Sequence, residues 1–215
     1  MKIYGSPLSP FVARIILACD HKGIDHSVEM PEGGLKTPEY LALNPFGKIP
    51  TVKIGKTVLY ESGVILSYLD DTHGKKAIIP KSANGAARAR LIATISELYV
   101  QDPALQLFRQ LMGRSPKDPA AAKDLVAKLE QGLDVLNMYI SPGPCAGGKG
   151  FTIADCYVAP ALVFVDAVAA KFGVKDVYKG RANVKKYWAA IKKHKSAKRQ
   201  IGEMLKLMKD RLKAM

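Results

Sequence analysis

A proline at the entrance to a strand-like run constrains the fold of this chain more than any other residue. Pro50 directly precedes the β-prone run Thr51-Val52-Lys53-Ile54. Because proline has no N–H to give to a sheet ladder, it must lie at a strand edge or in a tight turn, where its peptide bond can be cis. A cis Ile49-Pro50 bond would turn the N–H and C=O of Ile49 away from the sheet. These groups could then pair with an extended, peptide-like ligand.

A serine before a helical run supplies a second polar feature. Ser62 precedes Val64-Ile65-Leu66-Ser67-Tyr68-Leu69, which has helical periodicity. The hydroxyl of Ser62 and the first-turn N–H groups can hold a carboxylate at the positive end of the helix dipole. The two segments together predict a site that captures a peptide backbone at one point and an anionic end at another.

The order of elements predicts two domains. Strand-like segments at residues 2–4 and 26–30 flank a helix over 11–21, and a hairpin and a further helix follow Pro50. This order favours a mixed sheet with helices packed on it. Residues 74–86 are rich in Gly, Lys, Pro, Ser and Ala, and helical periodicity dominates beyond them.

Several motifs, in this order, resemble the glutathione transferases. They are Met1-Lys2-Ile3-Tyr4-Gly5-Ser6-Pro7-Leu8-Ser9-Pro10, Leu43-Asn44-Pro45-Phe46-Gly47-Lys48-Ile49-Pro50, Leu59-Tyr60-Glu61-Ser62, and Gly150-Phe151-Thr152-Ile153-Ala154-Asp155. The resemblance is to the serine-dependent classes, with the phi class nearest. It implies an α/β, thioredoxin-like, glutathione-binding domain over residues 1–76, a linker over 77–85, and an all-helical bundle with a hydrophobic substrate pocket over 86–215.

The resemblance implies Ser9 as the catalytic residue. A free thiol with a pKa of about 8.5 is mostly protonated at neutral pH, and a hydroxyl donor at a helix N-terminus would stabilise its thiolate. Ser9 suits this role because Pro10 fits the first helical position and makes Ser9 the N-cap. Ser9 and Arg14 also reproduce the phi-like spacing of serine and arginine. Ser6, in the similar dipeptide Ser6-Pro7, stays an alternative, as does a purely capping role for Ser9.

The glutathione contacts also follow from the resemblance. They are Lys36 and Lys48 at the glycine carboxylate, Ile49 and Pro50 at the cysteinyl backbone, and Glu61 and Ser62 at the γ-glutamyl end. Two positions depart from the phi-like pattern, since Leu35 stands where histidine is common and Lys48 stands where glutamine is common. The first change removes a possible hydrogen-bond donor to the glycine carboxylate, and the second adds a positive charge. Ordinary solvated lysines are the alternative interpretation of Lys36 and Lys48.

The expected reaction is conjugation of the glutathione thiolate to small hydrophobic electrophiles, by a homodimeric detoxification enzyme. Apolar candidates for the electrophile pocket are Leu8, Phe11, Leu35, Tyr99 and Phe108. Such pockets select by size, so the electrophile itself is not specified. A glutathione-dependent lyase, isomerase or peroxidase, and a non-catalytic interaction or ligand-carrying module, are competing hypotheses.

The formal net charge of +14 is concentrated at the end of the chain. Residues 171–215 contain 15 Lys and Arg against three acids, Asp176, Glu203 and Asp210. This surplus could meet nucleic acid or an acidic membrane. Apolar residues recur between the lysines at helical spacing, and no RNA-binding signature accompanies them. We therefore expect a solvated helix face, with neither a nucleic-acid nor a membrane partner.

The cysteines and the start of the chain predict the compartment. Cys19 and Cys156 lie in apolar helical patterns, so we expect them to be inert core thiols. The three cysteines, Cys145 included, show no metal-ligand spacing, so we expect no metal. The chain has no uninterrupted apolar run of about 18 residues and begins directly with strand-like sequence. The expectation is a soluble, cytoplasmic protein.

A capping box is predicted at the start of one bundle helix. Thr152 and Asp155 have the required spacing of an oxygen-bearing residue and an acid three positions later. Asp155 is therefore expected to be structural.

Overall fold

The structure, a computed structural model, describes residues 1–148 and 150–214. The chain divides into two compact units, Met1–Ile78 and Ile79–Met215. The first helix of the second unit begins at Ala83, so the last residues of the expected linker are helical.

The first unit contains the mixed sheet and helices that the order of elements predicts. Its elements are β1 (Lys2–Tyr4), α1 (Pro10–Lys22), β2 (Ser27–Glu29), α2 (Pro38–Leu43), β3 (Thr51–Ile54), β4 (Thr57–Tyr60) and α3 (Ser62–Thr72). The short helix α2 lies between residue 30 and Pro50, where the sequence predicts no helix or strand. Neighbouring residues determine where α2 begins. Pro38 occupies the first turn, and the Thr37 hydroxyl accepts a hydrogen bond from Tyr40 N.

The sheet register places the end of β1, the start of β3 and the end of β4 at the same end of the sheet. The strand order is β2-β1-β3-β4, with β1 parallel to β2 and antiparallel to β3, and with β3 antiparallel to β4. Tyr4 pairs with Thr51, and Thr51 pairs with Tyr60. The chain therefore leaves β1, enters β3 and leaves β4 at one end of the sheet.

Helices α1 and α3 pack together and carry much of the apolar core of this unit. Helix α1 ends at Gly23, whose φ of 74° is the left-handed conformation that favours glycine. At the same end, Lys22 Nζ donates to Asp70 Oδ1 of α3 at 2.7 Å, and both side chains are largely buried. Asp70 Oδ1 also accepts from Ile78 N at 2.8 Å. This ion pair fixes the ends of both helices and the last residue of the unit.

The second unit is helical throughout its regular structure. Its helices are α4 (Ala83–Ile95), α5 (Asp102–Leu111), α6 (Pro119–Tyr139), α7 (Ile153–Val168), α8 (Ala182–Ile191) and α9 (Lys198–Lys213). A π-helical turn, Ser96–Gln101, joins α4 to α5, and a 3-10 turn, Ala169–Phe172, follows α7. The all-helical bundle expected for this half of the chain is confirmed.

Helix α7 is the centre of the second unit, because every residue in it except Asp166 is buried. Helix α7 and the following turn, Ile153–Phe172, are long and apolar enough to cross a membrane, but 89% of that window is buried inside the protein. At its start Asp155 is fully buried and accepts from Thr152 N at 2.8 Å and Ala146 N at 2.7 Å. The predicted structural role of Asp155 is confirmed.

The π-helical turn depends on a close approach between helices. A Cβ at Gly132 of α6 would collide with the backbone of Tyr99. Glycine at this position therefore allows α6 to pack directly against the turn that carries Tyr99.

The basic end forms helices with one buried side. The apolar residues Tyr187, Trp188, Ile191, Ile201, Met204 and Met208 are buried, whereas Leu205 and Leu212 are half-buried. The lysines between them, such as Lys186, Lys193 and Lys206, are exposed. Cys19, Cys145 and Cys156 are all buried and unbridged, and burial raises the pKa of the Cys145 thiol to about 12.

Candidate active site

Three loops that carry predicted site residues meet at one end of the sheet. The loop after Tyr4 leads to Ser9, the loop before Thr51 contains Ile49 and Pro50, and Glu61 follows Tyr60. These segments are distant in sequence, and it is the strand register that brings them together.

A glycine lets the first two of these loops approach each other. A Cβ at Gly5 would collide with the Val12 side chain and lie 3.4 Å from Cβ of Ile49. Only a residue without a side chain fits between α1 and Ile49. The segment from Gly5 to Ser9 therefore runs beside the Ile49–Pro50 turn.

Ser9 occupies the N-cap position of α1, but its hydroxyl does not cap the helix. Its C=O accepts from Ala13 N at 2.9 Å, whereas its side chain makes no capping hydrogen bond. Across residues 1–148 and 150–214, no hydrogen bond of the Ser9 hydroxyl is found. The Ser6 hydroxyl instead accepts from Leu8 N at 3.4 Å, within its own turn. Of the two serines, Ser9 has the hydroxyl that is available to a ligand at a helix N-terminus.

The Ile49–Pro50 peptide bond is cis, which is one of the two alternatives that the sequence allows. Ile49 itself is partly exposed. Within the part of the chain that the structure describes, neither its N–H nor its C=O has a hydrogen-bond partner. These two groups can pair with an extended ligand.

A buried polar cluster holds the turn in place. Tyr40 Oη donates to the C=O of Lys48 at 2.6 Å, and Asn44 Nδ2 donates to the same oxygen at 3.0 Å. Both side chains also contact Thr51 Oγ1, at 2.9 Å and 3.0 Å. Burial raises the pKa of Tyr40, which keeps it a donor. Tyr40 and Asn44 therefore fix the residues on both sides of Ile49 and Pro50.

The two predicted carboxylate-binding lysines flank the same loop. Lys36 Nζ donates to Phe46 C=O at 3.4 Å, and Lys48 Nζ lies 6.0 Å from the centre of the Phe46 ring. Gly47 has a φ of 58°, and a Cβ there would lie 2.7 Å from the C=O of Leu35. The close approach at Gly47 brings the segment that carries Lys36 against the loop that carries Lys48. Both ammonium groups are exposed to solvent.

Ser62 is connected directly to the helix that follows Ser9. Arg14 is fully buried in α1, and its Nη1 donates to Ser62 Oγ at 3.1 Å. Since this hydroxyl accepts from Arg14, its own hydrogen is left to donate to an anion. Glu61, just before Ser62, is exposed and has a φ of 67°, an uncommon conformation for a residue with a side chain. This conformation turns the chain sharply from β4 into α3.

The predicted pocket residues differ in accessibility. Leu8, Phe11 and Leu35 of the first unit are half-buried. In the second unit Tyr99 is 56% exposed, whereas Phe108 is buried and contacts Phe164 edge-to-face, with ring centres 5.1 Å apart. Tyr99 is therefore accessible to a ligand, and Phe108 belongs to the helical core.

The sequence did not identify Gly5, Tyr40 or Asn44 as site residues. In the structure Gly5 allows the close approach to Ile49, and Tyr40 and Asn44 hold the Lys48 carbonyl. Asn44 lies inside a recognised motif, so its position was a usable signal. The contact between Gly5 and Ile49 depends on strand pairing and had no local signal. Among the described residues, no group of three His, Cys, Asp or Glu side chains is placed to hold a metal ion.

Comparisons with known proteins agree with this geometry. Residues 3–77 match the N-terminal domain of glutathione S-transferases, and residues 119–190 match the C-terminal domain. Glutathione S-transferase 3 of Zea mays is 31% identical over 202 residues, which cover 89% of this chain and 88% of that protein. A glutathione S-transferase of Hyoscyamus muticus is 29% identical, with 89% and 92% covered.

A solved plant structure extends the agreement to three dimensions. Poplar glutathione transferase F1 matches with a TM-score of 0.80 and 27% identity, over 96% of this chain and 98% of that one. Glutathione S-transferase F13 of Arabidopsis thaliana is 26% identical, with 87% and 89% covered. This chain belongs to the glutathione S-transferase family, and its plant neighbours support the phi type.

Proposed function

We propose that this protein conjugates glutathione to small hydrophobic electrophiles. One observation carries the proposal: at one end of the sheet the strand register brings together the Ser9 hydroxyl, the Ile49 backbone groups and the N-terminus of α3, and the first two have no hydrogen-bond partner among residues 1–148 and 150–214. Glutathione has a matching thiol, peptide backbone and charged ends. The glutathione S-transferases among its relatives support the same reaction.

Ser9 activates the thiol in this proposal. Its hydroxyl donates a hydrogen bond to the sulfur, and the N-terminus of α1 adds a positive dipole. The thiol proton passes to solvent, and the thiolate attacks the electrophilic carbon. A carbon–sulfur bond forms, while the leaving group departs with the electron pair of its own bond.

The remaining contacts orient glutathione. Ile49 pairs with the cysteinyl backbone beside Pro50, as an added strand does. Lys36 and Lys48 bind the glycine carboxylate, and Glu61 and Ser62 hold the γ-glutamyl ammonium and carboxylate respectively. Residues 1–76 act as the glutathione-binding domain and residues 86–215 as the helical domain.

The electrophile contacts apolar side chains. Leu8, Phe11 and Leu35 are the proposed contacts in the first unit and Tyr99 is the proposed contact in the second, while Phe108, the other predicted pocket residue, lies in the helical core. The exposed ring of Tyr99 supports its inclusion. Such side chains select an electrophile by its size and apolar surface.

Homodimer formation is part of the proposal. Each unit exposes large apolar side chains, Phe46 and Val64 in the first and Leu91 and Leu98 in the second. Surfaces of this kind mark protein contacts when they are contiguous. Sedimentation should give a dimer for the wild type and a larger monomer fraction for Phe46→Ser. A wild type that sediments as a monomer at micromolar concentration would contradict it.

We also infer a cytoplasmic detoxification role without a nucleic-acid or membrane partner. Three buried, unbridged cysteines suit a reducing compartment. Fluorescence anisotropy with labelled RNA and DNA should detect only weak binding that disappears at moderate salt. Tight binding at physiological salt would contradict the inferred lack of a nucleic-acid partner.

The decisive experiment compares Ser9→Ala with Ser6→Ala. Ultraviolet titration of bound glutathione should give a thiol pKa below the free value of about 8.5 in the wild type, and this pKa should rise in Ser9→Ala. Turnover should fall by about a hundredfold, as for loss of one donor to a developing anion. Glutathione affinity should persist in Ser9→Ala, because the other contacts remain.

Ser6→Ala is the matched control, since its hydroxyl is engaged within its own turn. An unchanged titration curve in Ser9→Ala, with activity lost in Ser6→Ala, would transfer the role to Ser6. Halogenated aromatics, epoxides, isothiocyanates and hydroperoxides form the substrate panel. Turnover of hydroperoxides alone would replace conjugation with peroxidase activity, and binding of glutathione without any turnover would favour a carrier.

A further inference from the structure

The loop between α5 and α6 takes no part in the proposed reaction. At its start the N–H of Arg114 donates to a carbonyl in the last turn of α5 at 2.8 Å. At its end Asp118 N donates to the Gln110 side-chain oxygen at 3.2 Å. Among residues 1–148 and 150–214, no hydrogen bond is found for residues 115–117, which lie between these two attachments. The loop is therefore fixed at both ends and has a short free segment in the middle.

This free segment carries a serine hydroxyl that another protein can reach. Pro116 follows Ser115, and the ring of a proline disfavours the helical conformation of the residue before it. Ser115 is half-buried, and Arg114, Pro116 and Lys117 around it are exposed. Within the part of the chain that the structure describes, the segment has no backbone hydrogen bond that would have to break before an enzyme could bind it.

Three other serines also precede a proline, but their surroundings differ. The hydroxyls of Ser6 and Ser141 each accept a hydrogen bond from the N–H two residues later, at 3.4 Å and 3.1 Å. Ser9 is the N-cap of α1, and the proline after it is buried in the first turn of that helix. Of these four serines, Ser115 combines a hydroxyl that has no partner among the described residues with a position in an exposed loop.

Ser115 lines a cavity together with two cations. The cavity lies between α5 and α6 and has a volume of about 380 Å³. Arg109 of α5 and Lys128 of α6 line it, and both are exposed. Within residues 1–148 and 150–214, neither has a carboxylate within 4.0 Å. Asp124 also lines the cavity, so two cations and one carboxylate leave an excess of positive charge.

A phosphate on Ser115 would match this excess of positive charge. A phosphoserine carries about −1.5 to −2 charges at neutral pH and three strong acceptor oxygens. The guanidinium of Arg109 can donate to two of these oxygens, and Lys128 can donate as a point charge. Because the two cations belong to different helices, a phosphate that contacts both would link α5 to α6. Repulsion from Asp124 opposes the contact, and the loop cations Arg114 and Lys117 favour it.

We propose that Ser115 is a phosphorylation site for a proline-directed protein kinase, and that Arg109 and Lys128 hold the phosphate between α5 and α6. The γ-phosphorus of ATP forms a bond to Ser115 Oγ and loses its bond to the β-phosphate oxygen, which leaves in ADP with the electron pair. The hydroxyl proton passes to a carboxylate of the kinase. The proposal is independent of the proposed transferase activity.

Incorporation of phosphate locates the modified residue. The purified protein is incubated with a proline-directed kinase, Mg²⁺ and ATP, and its chymotryptic peptides are analysed by mass spectrometry. The wild type should carry phosphate on the peptide that contains Ser115. Ser115→Ala should abolish this incorporation, whereas Ser141→Ala, which removes another serine that precedes a proline, should leave it unchanged.

Urea denaturation tests whether the phosphate is held. Phosphorylation of the wild type should raise the equilibrium constant for folding by about fivefold, as two surface ion pairs would. The gain should disappear in Arg109→Gln with Lys128→Gln, which removes both proposed partners. Lys206→Gln with Lys209→Gln, two exposed lysines of α9, is the control with the same change in net charge, and it should keep the gain.

Four results would overturn the proposal. Wild-type protein without phosphate on Ser115 would refute the modification site. A wild type that gains no stability on phosphorylation, or an equal gain in the two variant pairs, would refute the contacts with Arg109 and Lys128. Inorganic phosphate should not stabilise Ser115→Ala, and a comparable gain there would assign the two cations to a free anion instead. None of these measurements uses glutathione, so a protein without transferase activity would refute the proposed function and leave this test intact.

Discussion

In the first unit the buried side chains of Arg14, Tyr40 and Asn44 contact residues of the candidate site, whereas in the second unit buried polar side chains hold helices of the bundle in place. Arg14 donates to Ser62 at the edge of the site, and Tyr40 and Asn44 hold the carbonyl of Lys48. In the helical unit Asp155 accepts from the N–H groups at the start of α7. Arg181 likewise holds α6, through Asp134 Oδ1 at 2.6 Å and the C=O of Glu130 at 3.1 Å.

The difference separates two kinds of expected defect. A polar group that orders a ligand-binding loop should change affinity or turnover when it is removed, with a small effect on unfolding. A polar group that fastens a core helix should change the free energy of unfolding, with little effect on the activity of the molecules that stay folded. Each of the following predictions tests this separation.

The largest predicted effect is a loss of folding stability in the helical unit, caused by Asp155→Ala. The N–H group of Ala146, which is buried, and that of Thr152, which is half-buried, lose their acceptor. At about 1–3 kcal/mol for each unsatisfied donor, the free energy of unfolding should fall by about 4 kcal/mol. Urea denaturation measures the loss, and Asp210→Ala, an exposed acid in α9, is the control. Normal stability with reduced activity per folded molecule would reverse the comparison.

The pH dependence of stability provides the next largest effect. Burial raises the pKa of Asp155 to about 6 from 3.8, against the hydrogen bonds that lower it. An acid whose folded pKa is raised binds its proton more tightly in the native state. Its contribution to stability is therefore greatest below pH 3.8 and is lost as the pH rises from 3.8 to about 6.

The difference between wild type and Asp155→Asn isolates this contribution from the other carboxyl groups. The stability of the wild type relative to Asp155→Asn should decline by about 3 kcal/mol across that window. A difference that is independent of pH would show that the carboxyl group keeps its ordinary pKa. Urea titrations at half-unit pH intervals provide the curve.

A smaller effect, on glutathione affinity, is expected from Ser62→Ala in the first unit. Loss of a hydroxyl donor to a charged group should weaken glutathione binding by about 2 kcal/mol, or about thirtyfold. The thiol pKa of the saturated complex should change little. Calorimetry measures the affinity, and Ser67→Ala, an exposed serine in the same helix, is the control. Wild-type affinity in Ser62→Ala would remove Ser62 from the site.

The smallest predicted effect comes from Tyr40→Phe. The change removes one of the two donors to the Lys48 carbonyl, while Asn44 keeps the other. A net hydrogen bond of about 1 kcal/mol corresponds to a rise of about fivefold in KM for glutathione. The value of kcat at saturation should be retained. Tyr68→Phe in α3 is the control, and an equal change in both variants would assign the effect to the loss of any tyrosine hydroxyl.

Features with local signals could be predicted from the sequence. Ser9-Pro10 specified the start of α1, Thr152 and Asp155 specified the start of α7, and Pro50 limited its own bond to two alternatives. Helix α2 was missed although Thr37-Pro38 carries the same kind of start signal, because its six residues are too few for a clear period. Short elements give little periodicity to detect.

Features that depend on distant residues could not be predicted in the same way. The contact between Arg14 and Ser62 joins residues 48 positions apart. The π-helical turn exists beside Gly132, which is in another helix. Proximity of this kind arises from packing and strand register. The family resemblance supplied candidate site residues, and the structure supplied the side chains that hold them in place.

The burial of α7 has a consequence for the timescale on which different amides exchange with heavy water. Because its neighbours cover nearly every residue of this helix, its N–H groups can reach solvent only when the whole unit opens. The loops that carry Ser9 and Ile49 need only local opening. A single exchange experiment would therefore measure both properties, with the slowest amides of α7 reporting global unfolding and the loop amides reporting how far glutathione orders its own site.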